Sequence, residues 1–531
     1  MQQSHHHHEV PFRILDKSYN FTASAENSHD NRIIHGDNLE ALKSLLPEFE
    51  GKVKCIYIDP PYNTGNEGWI YNDNVNDEKI KRWLGNVVGK EGEDLSRHDK
   101  WLCMMYPRLK LLHKLLADDG IICVSIDDNE VFLLGLLMDD IFGRAKRLAC
   151  CPWLAEPSGG KEKTGLRGGH EYVVIYGDIN SLTRESRSTG ELNLKDKWGK
   201  YRKGRELRKW GGISLRTDRP NQWFPIKTSD GIEVFPYRND GKEGHWRWGK
   251  DQKMKEILED AEKAHWEKCS YDEGVNVSGE TERYVPFEKI RDKQRSIGWN
   301  TWLDSYGFNS DGTRELKEIF GEKVFETPKP SSLIKWLISL HEDENSIILD
   351  SFAGSGTTAH SVLKLNAEDG GRRKFILIET MDYAETITAE RVRRVMQGYE
   401  AGAKTVAGLG GSFDFYSIGD VIFDGEGNLN EAVGVEEIRK YVAFTENIST
   451  ENRVSLNNQH SPYLLGTVGE TAYFFIYEID AITALNLDFL ASLDFKPQAL
   501  VIYADNCLLS KELMQKYNII FKKIPRDITR F

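Results

Sequence analysis

The stretch SIILDSFAGSGTTAHSVLKLNAEDGGRRKFILIE, residues 346–379, reads as a strand (346–349), a glycine-rich turn, a helix (357–365) and a second strand (374–378) closed by Glu379. Short apolar runs alternating with a helical pattern are the mark of a parallel sheet covered by helices. In the turn, Asp350, Phe352, Ala353, Gly354, Ser355, Gly356, Thr357 and Thr358 are mostly small, so the backbone can approach a ligand while helix N-terminal amides face it. By itself this fits any tight strand-to-helix turn. The dinucleotide fingerprint GxGxxG is not satisfied, because Thr357 stands near where a third glycine would be required, and the GK[ST] of a P-loop is absent. Glu379 lies 25 residues after Gly354 at the end of the next strand, where a carboxylate can accept hydrogen bonds from both ribose hydroxyls of an adenosine-containing cofactor.

Upstream, the same alternation runs from Arg32 to Asp178. A short strand at 31–35 turns at Gly36 and Asp37 into a helix carrying Leu39, Leu42, Leu45 and Leu46; the apolar run 53–58 then stops at Asp59. A second unit has a leucine-striped helix at 106–116, a turn at 118–120 and a strand at 121–126. A helix at 130–142, a Gly- and Lys-rich loop at 158–169 and a strand at 172–176 follow. Directly after the 53–58 run stand Asp59, Pro60, Pro61 and Tyr62. Two prolines fix the backbone and remove two donors, so the set offers a carboxylate, open carbonyl acceptors and an aromatic face, which suits an exocyclic NH2 on a flat base. A lone Asp-Pro-Pro is also a common turn.

Between about 182 and 325 regularity fades into a polar segment rich in Trp, Arg and Gly, expected to be a separate module. From Lys195 to Arg219 it holds ten basic residues against three acidic ones. Lys200, Arg202, Lys203, Arg205, Arg208, Lys209, Arg216 and Arg219 are the candidate DNA contacts, with Trp198, Tyr201, Trp210, Trp223, Phe224, Trp246 and Trp248 interleaved or following. A solvated charged face is the alternative. Any nucleic-acid contact has to come from such a patch, because the 531-residue chain carries a net charge of −13.

The remaining composition narrows the class. A hydrophobic share of 39% and a charged share of 29%, with no apolar run near the roughly 18 residues of a membrane span, predict a soluble protein. The start lacks the pattern of a secretory signal, so a cytoplasmic location is expected; His5 to His8 read as an unstructured run or tag. Seven scattered cysteines without a CxxC pair suggest neither a zinc ribbon nor a disulfide framework, and no metal is expected.

Taken together, DPPY at 59–62 and FAGSG at 352–356 resemble the catalytic and S-adenosylmethionine motifs of the amino-methylating DNA methyltransferases. The catalytic motif precedes the cofactor motif by about 290 residues with the basic segment between, an order similar to the β group of that family. Asp37 and Asn38 match the family position that holds the cofactor adenine, and Lys329 with Pro330 matches the segment before the cofactor strand. GIICVSIDDN at 120–129, the run 170–176 and the ending IFKKIPRDITRF resemble the Mod subunits of type III restriction-modification systems.

That resemblance implies a doubly wound α/β methyltransferase fold, circularly permuted, with an inserted target-recognition domain. The expected divisions are a flexible 1–30, methyltransferase parts at 31–180 and 326–402, recognition at 181–325 and a small C-terminal α/β domain at 403–531. It further implies catalysis by Asp59, Pro60, Pro61 and Tyr62 on N6 of an adenine flipped out of double-stranded DNA, a homodimer, and a separate helicase-nuclease partner that uses ATP. The alternatives are N4-cytosine methylation, against which Asp59 speaks because that group more often has Ser there, a solitary methyltransferase, and a non-catalytic recognition subunit.

Overall fold

The computed structural model describes residues 10–23, 30–64, 93–160, 165–251, 253–272, 276, 279–458 and 460–526; His5 to His8 and the last five residues of the IFKKIPRDITRF ending lie outside them. Two compact units emerge, one formed by residues 1–183 with 300–531 and one by 184–299.

The larger unit is built on a nine-stranded mixed sheet. Its strands are β1 (Arg13–Thr22), β2 (Arg32–His35), β3 (Val53–Ile58), β4 (Leu116–Ile126), β5 (Arg147–Leu154), β6 (His170–Gly177), β7 (Ile347–Asp350), β8 (Lys374–Glu379) and β9 (Ser412–Val421). Their spatial order is β1-β9-β2-β8-β7-β3-β4-β6-β5. The run from β9 to β4 is parallel, whereas β6 is antiparallel to both of its neighbours and β1 to β9. Thus β7 and β8, late in the chain, sit between the early strands β2 and β3.

The central strands are apolar on both sides, as burial of both faces demands. Ile56, Ile58, Leu349, Ile376 and Ile378 join one core with the helices α1 (Asn38–Phe49), α2 (Glu93–Leu115) and α3 (Val131–Met138). Their alternates Cys55, Tyr57, Ile348, Phe375 and Leu377 are equally buried and point the other way. A second set of helices, α4 (Asn309–Phe320), α5 (Ser331–Ser339), α6 (Thr357–Asp369) and α7 (Glu390–Gln397), packs among itself and against β3 and β8. This is an α/β fold wound on both faces of its sheet.

Three expected boundaries move. Residues 13–22 are not a flexible start but the edge strand β1: Tyr19 stacks on Phe415 at 5.1 Å, and Phe21 lies 5.4 Å from Phe413. β9, assigned by sequence to the C-terminal domain, completes the large sheet beside β2. Residues 300–325, assigned to the recognition segment, belong to the larger unit, because Leu303 exchanges backbone hydrogen bonds with Pro152 and Leu154 of β5 and α4 joins the second helix set. A further small difference is that Leu116, expected as a helix end, already pairs with Val53 at the start of β4, with an irregularity before Ile121.

Beyond β9, the chain forms a four-stranded sheet from Leu464–Val468, Thr471–Phe475, Ala499–Ala504 and Ile519–Lys523, with a core of its own around Phe474, Leu500 and Ile502. The smaller unit, 184–299, carries a four-stranded antiparallel sheet and a core of Leu207, Phe224, Ile226, Val234, Trp246, Met254, Ile257 and Ala264. Among the described residues no helix is long and apolar enough to cross a membrane, and no group of three or more His, Cys, Asp or Glu could hold a metal ion.

Candidate active site

Parallel strands aim their carboxyl ends at one edge of the sheet, so the loops after β3, β7 and β8 converge there. One cavity of about 360 Å³ opens at that edge, lined by Asp59, Pro60, Pro61 and Tyr62 after β3, by Asp350, Phe352, Ala353, Gly354, Ser355, Thr357 and Thr358 after β7, and by Glu379 at the end of β8. The two motifs on which the sequence reading rested therefore share a single cavity.

The loop after β7 is held from below. Asp350 accepts from the Phe352 amide (3.0 Å) and the Thr358 hydroxyl (2.5 Å), which bends the chain into α6. Gly354 and Gly356 have φ of +52° and +78°, where a side chain is strained, and a Cβ on Gly356 would lie 3.0 Å from the Thr388 carbonyl. Glu379 accepts from the amides of Gly354 (2.7 Å) and Met381 (2.9 Å). Burial nevertheless raises its pKa to about 7, against the pull of those amides, and burial does the same to Asp350, again to about 7. A cradle of small residues with a buried carboxylate at the adjoining strand end fits the adenosine part of a nucleoside cofactor.

The loop after β3 offers a different chemistry. Asp59 Oδ2 pairs with Lys329 Nζ at 2.9 Å, while Asp59 Oδ1 is buried with no hydrogen-bond partner among the described residues. A buried acceptor left empty is costly, about 1–3 kcal/mol, and marks a place where a donor belongs. Burial pushes the Asp59 carboxyl above its ordinary range, with Lys329 opposing and Glu171 adding to the rise. The Pro61 carbonyl is taken by the indole N–H of the fully buried Trp101 (2.7 Å), so among the described residues the Pro60 carbonyl is the prolyl acceptor left open. The Tyr62 hydroxyl donates to Glu171 (2.8 Å), which fixes the ring.

Several expected residues sit elsewhere. Asp37 and Asn38 do not line the cavity: Asp37 caps α1, accepting from Leu39 and Glu40, and Asn38 is fully buried, donating to the Ser351 carbonyl (2.9 Å) while accepting from Arg108. Asn38 thus braces the loop after β7 from behind. Gly356 shapes the loop without lining the cavity. Lys329, expected on the cofactor, lines the cavity but pairs with Asp59. Conversely, Tyr57, Phe325, Thr327, Pro328, Met381 and Tyr383 line the cavity and were not singled out. Met381 and Tyr383 lie just after Glu379 and could have been found by extending that motif; Phe325 was hidden by the boundary placed at 325, while Thr327 and Pro328 fell within the methyltransferase part but carried no motif of their own.

In the smaller unit the basic set divides. Lys200, Arg205, Lys209 and Arg219 are exposed and Arg202 is half-buried. Lys203 and Arg216 are paired with Glu267 (2.8 Å) and Glu243 (3.0 Å). Arg208 is a correction: it is buried and paired with Glu206 at 2.8 Å, so it supports the unit's core. The aromatics divide likewise. Trp246 and Phe224 are core residues, Trp223 stacks on Phe235 at 5.1 Å, and Trp248 packs on the core, because a short irregular unit needs large side chains to bury enough apolar area. Trp210 remains 57% exposed.

A family model described as DNA methylase matches residues 53–390, which takes in both motif loops and the smaller unit. The chain is 34% identical over 402 residues to the type III restriction-modification enzyme EcoPI Mod subunit of Escherichia phage P1, covering 68% of this chain and 59% of that protein. It is 35% identical over 367 residues to the type II methyltransferase M.KpnI of Klebsiella pneumoniae, covering 66% of this chain and 81% of that protein. Among solved structures, the M1.HpyAVI-SAM complex matches 68% of this chain and 98% of its own at 12% identity and a TM-score of 0.31, too loose a superposition to bear on the site. With both motifs on one cavity and these relatives, the chain belongs to the DNA methylase family.

Proposed function

We propose that this protein is the modification methyltransferase of a type III restriction-modification system, transferring a methyl group from S-adenosylmethionine to N6 of an adenine flipped out of double-stranded DNA. The observation that carries the reading is that Asp59, whose Oδ1 is buried with no partner among the described residues, lines the same cavity as the loop 350–358 and Glu379. An amine with two hydrogens fits two vacant acceptors, Asp59 Oδ1 and the Pro60 carbonyl. A group with one donor leaves one of them unsatisfied.

When bound, S-adenosylmethionine supplies an electrophilic methyl on a sulfonium. Glu379 would accept from the ribose hydroxyls, and the small residues from Phe352 to Gly356 would let the backbone close on the adenosine. Asp59 and Pro60, by accepting the two amine hydrogens, would draw the nitrogen away from conjugation with the ring and direct its lone pair outward. As positive charge grows on that nitrogen, the Asp59 carboxylate stabilises it more than it stabilises the neutral base, which is how a fixed charge lowers a barrier. Tyr62 would stack on the extruded base and offset part of the few kcal/mol that unstacking costs.

The remaining assignments extend the same reading. The interposition of β7 and β8 between β2 and β3 supports a circularly permuted order of the methyltransferase halves. The smaller unit, 184–299, would read DNA through its exposed Lys200, Arg205, Lys209 and Arg219. The sheet region after β9 would serve assembly, as a homodimer and with a helicase-nuclease subunit that uses ATP. Mass spectrometry of nucleosides from DNA of a methylation-deficient bacterium expressing the protein tests the central claim. N6-methyladenine is the expected product; N4-methylcytosine would move the target base, and no modified base at all would overturn the proposal.

A further inference from the structure

We propose that Glu171 and Lys329 are positioning residues for the transfer, tying the Asp59 carboxylate and the Tyr62 ring into one rigid unit so that a single carboxylate oxygen faces the incoming amine. This inference rests on the methyltransferase reading above. Lys329 lies just before α5 and Glu171 near the start of β6, so neither belongs to the loop they hold.

The geometry is a closed circuit. Lys329 Nζ is 2.9 Å from Asp59 Oδ2 and 3.4 Å from Glu171 Oε2, and the same Glu171 oxygen accepts the Tyr62 hydroxyl at 2.8 Å. The ammonium also sits 4.9 Å from the centroid of the Tyr62 ring. Glu171 Oε1 accepts from Asn309 Nδ2 at 3.3 Å, which anchors the circuit to α4. Acceptor and stacking face are thereby fixed by the same two side chains. Lys329 holds Oδ2, so Oδ1 is the oxygen left buried without a partner among the described residues. An Asp rotating freely about its terminal bond would spread the hydrogen-bond geometry that orients the nitrogen; a few tenths of an ångström matter at such sites.

The circuit also sets the charge on Asp59. Facing it are the cation Lys329, the anions Glu171 and Asp350, and the phenols Tyr57 and Tyr62. Lys329 favours the ionised carboxylate and Glu171 disfavours it. The two residues therefore act in opposite senses on the same proton, and this gives a signature that loss of packing cannot imitate.

The test measures the single-turnover methylation rate at saturating S-adenosylmethionine on unmethylated bacterial genomic DNA across pH, for wild type, Glu171→Gln, Lys329→Met and Lys329→Arg. Saturation keeps the titration of Glu379 in the binding step and out of the rate. Glu171→Gln should move the acid limb to lower pH and Lys329→Met to higher pH, each by about one unit; Lys329→Arg should return the limb toward wild type. The midpoint of a normalised profile does not depend on how much enzyme is folded. If Lys329→Met has no measurable rate, the Glu171→Gln profile decides. Limbs that stay in place, or move the same way, in an active enzyme overturn the inference. A wild type that methylates no DNA amine would instead overturn the functional reading, and the inference with it.

Discussion

On the proposed function, the two buried carboxyls of the cavity should make affinity for S-adenosylmethionine depend on pH, and Glu379 is the group to perturb. Its folded pKa is about 7 against 4.5 for an ordinary glutamate. Ribose hydroxyls donate hydrogen bonds, so the form that binds them well is the ionised one. The ionised fraction of a group with pKa 7 falls from about 0.9 at pH 8 to about 0.1 at pH 6, so affinity should drop about tenfold over that range from Glu379 alone. Asp350, also at about 7, can add to the slope, although both of its oxygens are already held by Phe352 and Thr358. Glu379→Gln removes the charge-assisted bonds, worth about 1.5–3 kcal/mol, and should weaken binding at pH 8 by about 10- to 100-fold while lowering the slope by one proton. Stability of the ligand-free protein runs the other way. A carboxyl with a raised folded pKa stabilises the fold fully below pH 4.5 and loses that contribution as pH rises through 7, so acidification from pH 8 to 5 should stabilise wild type relative to Glu379→Gln by about 2.5 kcal/mol. Isothermal titration calorimetry of S-adenosylmethionine between pH 6 and 8, in buffers of different ionisation enthalpy, reads both affinity and proton release. A flat wild-type profile, or an unchanged slope in Glu379→Gln, would refute the reasoning.

Four further outcomes are expected. Asp59→Ala should lower turnover at least ~10²-fold while calorimetric affinity for S-adenosylmethionine changes little; near-normal methylation would remove Asp59 from the mechanism. Charge reversal at Arg205 and Lys209 should weaken DNA binding and flatten its dependence on salt, measured by fluorescence anisotropy from 50 to 300 mM as an order-of-magnitude range. Arg208→Ala should instead destabilise the smaller unit by about 1.5–3 kcal/mol, because the buried Glu206 loses the nearer of its two arginine partners and keeps Arg283 at 3.4 Å and the Trp210 indole N–H, seen as earlier hydrogen exchange in 199–206; an unchanged exchange profile would restore Arg208 to the candidate DNA surface. Gly356→Ala should raise KM for S-adenosylmethionine and cost more than about 1 kcal/mol of stability, since it combines a left-handed φ with a 3.0 Å approach to the Thr388 carbonyl; wild-type values for both would show that the loop tolerates a side chain there.

The site was legible in the sequence to the extent that its chemistry sits in contiguous motifs. Asp59 to Tyr62 and Asp350 to Thr358 each follow an apolar run, and a run that ends abruptly in a polar or glycine turn can be located without knowing its neighbours. What failed was assignment across gaps. Lys329 was expected at the cofactor because it matches the segment before the cofactor strand, and it does line the cavity, but its pairing there with Asp59, 270 residues away, was not legible. Arg208 was counted with the exposed bases because charge is visible in a sequence and burial is not; Glu206, two residues before it on the same short stretch, was the available warning. The aromatics of the smaller unit were read as a stacking surface, although Phe224 and Trp246 form its core and Trp248 packs against it.

The sequence by itself determined the alternation of strands and helices, and with it an α/β sheet, together with the two motif loops that end its strands. Those follow from local periodicity and turn chemistry, which involve only near neighbours in the chain. Tertiary structure alone decided that β7 and β8 enter between β2 and β3, that β1 and β9, far apart in the chain, pair to extend the sheet beside β2, and that Glu171 and Lys329 close around Asp59 and Tyr62. Strand order and side-chain pairing across hundreds of residues depend on which buried faces and charges satisfy one another in three dimensions, and no local pattern encodes that choice.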